Sequence, residues 1–155
     1  MGSRIESRLA ELGIVLPEPA VPVANYVPYV IEGSLAVLSG QLPFQDGKLL
    51  FSGKVGADVT MEHGQEAARR CFVNLLAQLR RAAGGDLDRV RRVIRLGGFI
   101  AAAPSFTHHA SVMNGASDLA VAVFGEAGRH ARVTVGVPSL PLDAPVEVEG
   151  MFALA

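Results

Sequence analysis

The sequence predicts an α+β domain in which two long helices pack on one face of a β-sheet. Three observations support this class. Short runs of β-branched and apolar residues, bounded by Gly and Pro, recur along most of the chain and are typical of strands. Two segments combine apolar residues at 3–4 residue spacing with helix start or stop signals. Half of the 155 residues are apolar and only 19% are charged, which excludes a disordered chain and allows a sizeable core.

The N-terminal part is predicted to be a short helix followed by an extended arm. Residues 3–12 carry an apolar stripe at helical spacing, and Gly13 ends the helix. The prolines of residues 17–22 each fix φ and remove a backbone donor, so this stretch is expected to be extended. We therefore expect a helix and arm in residues 1–24 and a single domain in residues 25–155.

The rest of the chain alternates strand and helix patterns. Asp46-Gly47 predicts a hairpin turn, Thr60 predicts the start of the first long helix, and Gly84-Gly85 predicts its end. The second long helix is expected over about residues 105–124. The predicted strands cover residues 26–31, 35–39, 41–44, 48–51, 90–103, 131–137 and 146–152. Two helices cover only one sheet face, so the other face must be polar or covered by another copy.

Composition also excludes several classes of partner. The longest stretch without a charged residue, residues 96–117, contains Pro104 and several polar side chains, so it is not a membrane span. Charged residues near the N-terminus interrupt any signal-peptide core, and we expect a cytoplasmic protein. A net charge of −1 provides no global attraction to nucleic acid. The single cysteine, Cys71, excludes an intrachain disulfide and falls in an apolar helix stripe, which favours an inert core thiol.

The last two predicted strands carry the residues that could do chemistry. Arg132 and Thr134 alternate with valines, and Glu147 alternates with valines on the following strand. A hairpin about residues 139–140 would place Arg132 directly opposite Glu147. One interpretation is a cross-strand ion pair worth roughly 0.2–1 kcal/mol. The other is a ligand site in which the Arg binds a carboxylate and the Glu positions or deprotonates water.

The motifs of this chain resemble those of the RidA/YjgF (reactive intermediate deaminase) family, in matching order over residues 28–152. The resemblance rests on Ser39-Gly40-Gln41-Leu42-Pro43, on Asn114 within a helix, on Arg132 opening a strand, and on Leu140-Pro141 followed by Val146-Glu147-Val148-Glu149. It implies a chorismate-mutase-like α+β fold, with a mixed sheet and two helices on one face. It also implies a homotrimeric barrel with sites in the clefts between subunits.

The same resemblance implies an activity. Active family members hydrolyse reactive enamine or imine intermediates such as 2-aminoacrylate to a 2-oxo acid and ammonia, without metal or organic cofactor. By position, Arg132 would bind the substrate carboxylate and Glu147 would orient the attacking water. The remaining pocket residues implied by position are Tyr29 (with Tyr26 as an alternative), Gly40, Asn114 and Thr134.

Other functions stay open at this point. A non-catalytic homotrimer that binds a small carboxylate metabolite or a partner protein is the main alternative, because residues 115–118 lack the aromatic side chains usual in the family. RNA cleavage is a distant third. The one aromatic residue among the arginine-rich stretches, Phe72, falls in the buried helix stripe, so none is left for base stacking. His108-His109 has no metal-ligand spacing, and we expect no metal.

Overall fold

The computed structural model describes residues 2–22 and 25–155, and it has the predicted α+β architecture. The end of the predicted arm at residue 24 lies outside the described residues. The helices are α1 (Arg4–Glu11), α2 (Met61–Ala82) and α3 (His109–Phe124). The strands are β1 (Tyr29–Glu32), β2 (Leu35–Gln41), β3 (Phe44–Gln45), β4 (Lys48–Leu49), β5 (Val90–Ala101), β6 (Ala131–Val137) and β7 (Val146–Leu154).

Five of these strands form one mixed sheet in the order β1-β2-β7-β5-β6. The long strand β5 pairs parallel with β6 and antiparallel with β7. Helix α3 links β5 to β6, which supplies the crossover that parallel neighbours need. The strands β3 and β4 form a separate hairpin. Its turn is the predicted pair Asp46-Gly47, and both residues have positive φ.

The predicted hairpin between the last two strands is wrong, because β5 lies between β6 and β7. Parallel pairing with β5 places β6 at the edge of the sheet. Residues 138–145 must then cross the end of β5 to reach the position between β2 and β5. The crossing is visible in the bond from the Ala101 N–H to the Pro145 carbonyl, and in the positive φ of Leu142 and Asp143.

The two long helices pack side by side on one sheet face, as predicted. Buried side chains of β7, such as Val148 and Phe152, face these helices, and Cys71 of α2 is fully buried among them. The opposite face of the sheet is partly open. On β6, Val133 and Val135 are 46% and 43% exposed. We refer to this second surface as the open face.

Helix boundaries follow local capping chemistry. The Thr60 hydroxyl accepts a hydrogen bond from the His63 N–H at 3.1 Å, which confirms the predicted start of α2. Helix α3 begins at His109, four residues later than expected. The preceding residues form a turn, in which the Phe106 N–H donates to the Ala103 carbonyl and the Phe106 ring packs against the core. No helix in the described ranges is long and apolar enough to cross a membrane.

The N-terminal helix packs against the rest of the same chain. Ile5 and Leu9 are buried, and α1 packs against α3 and the short turn Leu87–Arg89. The Asp88 carboxylate accepts hydrogen bonds from the Ser3 hydroxyl and from the Arg4 and Ile5 N–H groups, each at 2.9 Å. Since the first N–H groups of a helix lack intrahelical partners, Asp88 completes the start of α1 from another part of the chain.

Candidate active site

Arg132 lies on the helix side of the sheet, at the edge strand β6. It is in register with Leu96 of β5, which is fully buried under the helices. Its Nη1 donates to Asn114 Oδ1 at 2.8 Å and to Ser117 Oγ at 3.1 Å. Asn114 and Ser117 share one face of α3 because they are three residues apart. Both Nη1 protons are therefore used.

The other edge of this guanidinium is available. Within the described ranges, Nε and Nη2 of Arg132 have no acceptor at hydrogen-bond distance, and the side chain is exposed. The N–H groups on Nε and Nη2 point in the same direction, which matches the two oxygens of a carboxylate. The site can therefore bind a carboxylate through two parallel hydrogen bonds.

A histidine extends this group of side chains. His130 Nε2 lies 2.9 Å from Ser117 Oγ, and its Nδ1 lies 2.7 Å from the Gly128 carbonyl oxygen. Because a carbonyl only accepts, Nδ1 carries the proton of the neutral ring and Nε2 accepts from the Ser117 hydroxyl. One connected chain of hydrogen bonds thus runs from Gly128 through His130 and Ser117 to Arg132.

Thr134 faces the same side of the sheet as Arg132. It is in register with Gly98, where an added Cβ would collide with Met113 of α3, so this side faces the helix. Its Oγ1 is buried and has no hydrogen-bond partner among the described residues. Buried hydroxyls normally have a partner, so Thr134 offers an unused donor and acceptor near Arg132.

Glu147 occupies the open face of β7. Its neighbours Val146 and Val148 are buried under the helices, so the alternating strand directs Glu147 and Glu149 to the other side. Glu149 Oε1 lies 3.3 Å from Arg95 Nη1, whereas Glu147 has no hydrogen-bond or ion-pair partner in the described ranges. Burial raises the pKa of the Glu147 carboxyl, and the charge of Glu149 raises it further.

Gly40 makes room for this carboxylate. It lies at the end of β2, where the pairing with β7 shifts register between Leu38 and Gln41. A Cβ at Gly40 would collide with the Glu147 side chain, so any larger residue would displace the carboxylate. The predicted Gly40 and Glu147 are therefore adjacent.

The two tyrosines have different surroundings. Tyr29 is opposite Leu38 in the β1–β2 pair and packs against the core on the helix side. Tyr26 is 56% exposed and, together with Gly40, lines a cavity of about 540 Å³ that the N-terminal arm partly covers. Tyr26 and Gly40 therefore share one cavity, whereas Tyr29 packs against the core.

The predicted residues fall into two half-sites. Arg132, Asn114 and Thr134 lie on the helix side of the sheet, and Gly40 with Glu147 lies on the open face. The expectation that Arg132 and Glu147 share a sheet face is wrong. Arg132 is in register with Leu96, which is buried under the helices, whereas the residues on the helix side of β7 are Val146 and Val148, on either side of Glu147. The sequence analysis did not point to Ser117, although its spacing of three residues from Asn114 places both on one helix face; no pattern in the sequence points to His130.

Among the described residues, no group of three or more His, Cys, Asp or Glu could hold a metal ion.

Comparisons with known proteins agree on one family. A family model described as "YjgF/chorismate_mutase-like, putative endoribonuclease" matches residues 6–153. Protein TCP17 of Trypanosoma cruzi is 49% identical over 152 residues, covering 97% of this chain and 94% of that protein. The crystal structure of Atu1372 from Agrobacterium tumefaciens, a protein of unknown function, has a TM-score of 0.92 at 49% identity, covering 97% of this chain and 92% of that one. E. coli TdcF with bound serine has a TM-score of 0.65 at 24% identity, covering 89% of this chain and 94% of that one.

Proposed function

The chain belongs to the YjgF/chorismate mutase-like family, and on this premise we propose that it hydrolyses reactive enamine or imine intermediates of the 2-aminoacrylate type. The products are a 2-oxo acid and ammonia. The observation that carries the proposal is the Arg132 guanidinium, which α3 holds through Asn114 and Ser117 while its Nε–Nη2 edge stays free. This edge matches a substrate carboxylate. The proposal locates the reaction in the cytoplasm.

The complete site in this proposal needs two copies of the chain. Arg132 and Glu147 lie on opposite sides of their own sheet, so one subunit cannot direct both at one small substrate. A homotrimer that buries the open face would bring Arg132 of one subunit to the cleft beside the Glu147 of the next. The exposed valines of β6, Val133 and Val135, support burial of this face, because contiguous apolar surface marks interaction sites.

The chemistry needs a positioned water and a proton relay. The enamine first tautomerises to the imine, whose C2 is electrophilic. Water adds to C2 while the Glu147 carboxylate accepts one of its protons, and this forms a C–O bond. The C=N π bond opens as the same carboxyl returns that proton to the nitrogen, which gives a carbinolamine with an amino group. The carboxylate then takes the proton of the new hydroxyl group and passes it to the amino nitrogen, so that the C–N bond breaks, the oxo group forms and ammonia leaves. A carboxyl whose pKa is raised suits this exchange, since it can both accept and return a proton.

The remaining pocket residues have supporting roles in the proposal. Thr134, two residues along β6 from Arg132, lines the substrate pocket in this proposal. Asn114 holds the guanidinium, and Gly40 leaves space for the carboxylate of Glu147. Tyr29, or Tyr26 beside the cavity, forms the outer wall. Correct orientation supplies much of the acceleration for such a labile substrate.

The test is a coupled assay in which a dehydratase generates 2-aminoacrylate and pyruvate release is followed over time. We expect the wild type to accelerate release over buffer, and Arg132→Ala and Glu147→Ala to reduce it to the buffer rate. Arg92→Ala is the matched control, because Arg92 is exposed on the neighbouring strand and, among the described residues, its side chain donates only to the Arg129 carbonyl. A wild-type protein that releases no more pyruvate than buffer would contradict the proposal.

A second candidate is a non-catalytic trimer that binds a small carboxylate metabolite. The free Nε–Nη2 edge of Arg132 favours this candidate, because a carboxylate is all that the edge needs to form its hydrogen bonds. The small residues Gly115 and Ala116 after Asn114 favour it as well. TdcF, which shares the fold, has bound serine in its crystal structure. In this case Arg132→Ala would lose affinity for pyruvate, whereas the wild type would bind pyruvate without accelerating its formation.

A further inference from the structure

The guanidinium of Arg132 is held by two acceptors at one nitrogen. Asn114 Oδ1 and Ser117 Oγ both accept from Nη1, at 2.8 and 3.1 Å. The two protons on Nη1 lie in the plane of the guanidinium, so two acceptors together define that plane. A single acceptor would leave the group free to rotate about one N–H···O axis. Asn114 alone therefore cannot fix the direction of the free Nε–Nη2 edge.

The partner of the Ser117 hydroxyl proton decides where the Oγ lone pairs point. A serine within a helix commonly donates its hydroxyl proton back to the carbonyl four residues earlier, which here belongs to Met113. In this structure the hydroxyl is instead 2.9 Å from His130 Nε2. The Gly128 carbonyl holds the proton on Nδ1, so Nε2 can only accept in the neutral ring. His130 thus accepts the hydrogen bond of the Ser117 hydroxyl and leaves an Oγ lone pair directed at Arg132.

We propose that Ser117 and His130 are positioning residues that orient the Arg132 guanidinium. Its Nε–Nη2 edge is thereby held in a fixed direction, in which it can bind a planar carboxylate bidentately. The inference rests on the proposed function for the identity of the carboxylate. It goes beyond that function by assigning a role to two residues outside the predicted site. Arg132 needs such support because it lies on an edge strand and its long side chain is exposed.

The kinetic test compares Ser117→Ala, His130→Ala and His130→Gln in the coupled pyruvate assay. These variants keep the Arg132 charge and only free its Nε–Nη2 edge to rotate. The carboxylate is then bound more weakly both before and during the reaction, so KM rises and kcat stays nearly unchanged. We expect KM to rise about tenfold in the two alanine variants, as for loss of a hydrogen bond to a charged group. His130→Gln retains an acceptor for Ser117 and should recover most of the affinity. Asp118→Ala, on the exposed surface of α3, should match the wild type.

Two kinetic results would overturn the assignment. A KM that is unchanged in Ser117→Ala shows that the second acceptor is dispensable. A kcat that falls as much as kcat/KM shows that Ser117 or His130 takes part in the chemistry instead of positioning Arg132.

A second measurement separates this inference from the proposed function. Arginine side-chain NMR, on protein labelled with ¹⁵N-arginine and assigned with Arg132→Lys, reports rotation of the guanidinium directly. We expect separate Nη1 and Nη2 signals for Arg132 in the wild type, and merged signals in Ser117→Ala and His130→Ala. Merged signals in the wild type would overturn the inference. Separate signals in a protein without deaminase activity would support the inference and contradict the proposed function.

Discussion

At the scale of single residues, the protonation of Glu147 depends on its surroundings. Burial is the larger cause of its raised pKa, and the neighbouring charge of Glu149 is the second. A base must be ionised to accept a proton from water. Because its pKa is raised, Glu147 becomes protonated at a higher pH than an ordinary glutamate when the pH is lowered. The acid limb of activity should therefore lie above the usual glutamate range.

Glu149→Gln tests this electrostatic coupling. The change removes the second cause of the shift, so the pKa of Glu147 falls and the acid limb of kcat/KM against pH moves to lower pH. Arg95 loses its ion-pair partner in this variant, and its unpaired positive charge on the same face lowers the pKa of Glu147 further. Glu149→Asp keeps the charge and should leave the limb near its wild-type position. An acid limb that does not move in Glu149→Gln would show that Glu147 is not the titrating base.

The sequence pointed to candidate site residues, but not to the directions of their side chains. The candidates included Arg132, Glu147, Asn114 and Gly40, and the structure gives each of them a specific contact. Alternation within β7 correctly separated Glu147 from the buried valines. Whether Glu147 lies on the same sheet face as Arg132 could not be derived. The two-residue period relates residues within one strand and gives no relation between strands that are not neighbours.

At the scale of elements, local signals located the helices and strands, and long-range pairing decided their arrangement. Thr60 and Asp46-Gly47 marked boundaries correctly because caps and tight turns depend on adjacent residues. The order β2-β7-β5-β6 depends on the crossover through α3 and on the path of residues 138–145. Neither feature has a local sequence signature, so adjacency in sequence suggested a hairpin that the fold does not contain.

The hydrogen bonds that attach α1 to Asp88 also join distant parts of the sequence. They predict that the stability of this attachment depends on pH. Hydrogen bonds from the Ile5 and Arg4 N–H groups lower the pKa of Asp88. A lowered pKa means that the carboxylate stabilises the fold above the ordinary aspartate pKa, and that this contribution is lost as pH falls through the lowered pKa. Asp88→Ala removes it at all pH values. We expect faster hydrogen exchange in residues 4–11 of Asp88→Ala at neutral pH, with α2 unaffected.

Asp86→Ala is the control for this prediction. Asp86 accepts from the Asp88 N–H in the same turn and makes no hydrogen bond to α1 among the described residues, so exchange in residues 4–11 should stay close to that of the wild type. Equal protection of α1 in Asp88→Ala and the wild type would show that apolar packing of Ile5 and Leu9 alone holds this helix.

At the scale of the whole molecule, the unusual apolar content of the chain has a defined location. The helix side of the sheet is buried within the subunit, whereas the open face leaves valines of β2 and β6 partly exposed, Val37 and Val135 among them. The same face carries the Glu147 half-site, and the edge strand β6 carries the Arg132 half-site. Assembly through the open face would therefore bury apolar surface and complete the site in one step.

Mixing two inactive variants tests this assembly. Arg132→Ala and Glu147→Ala are each expected to be inactive alone. Equal amounts of the two variants are unfolded, mixed and refolded, so that they form random trimers. If each site combines Arg132 of one subunit with the Glu147 of the next, one neighbouring pair in four carries both intact residues. We therefore expect about a quarter of the wild-type activity. Adding Val135→Glu to both variants buries a charge in the interface and should abolish recovery, whereas Val121→Glu on the outer surface of α3 should not. Mixed oligomers that show no recovery would mean that each site uses Arg132 and Glu147 of the same subunit.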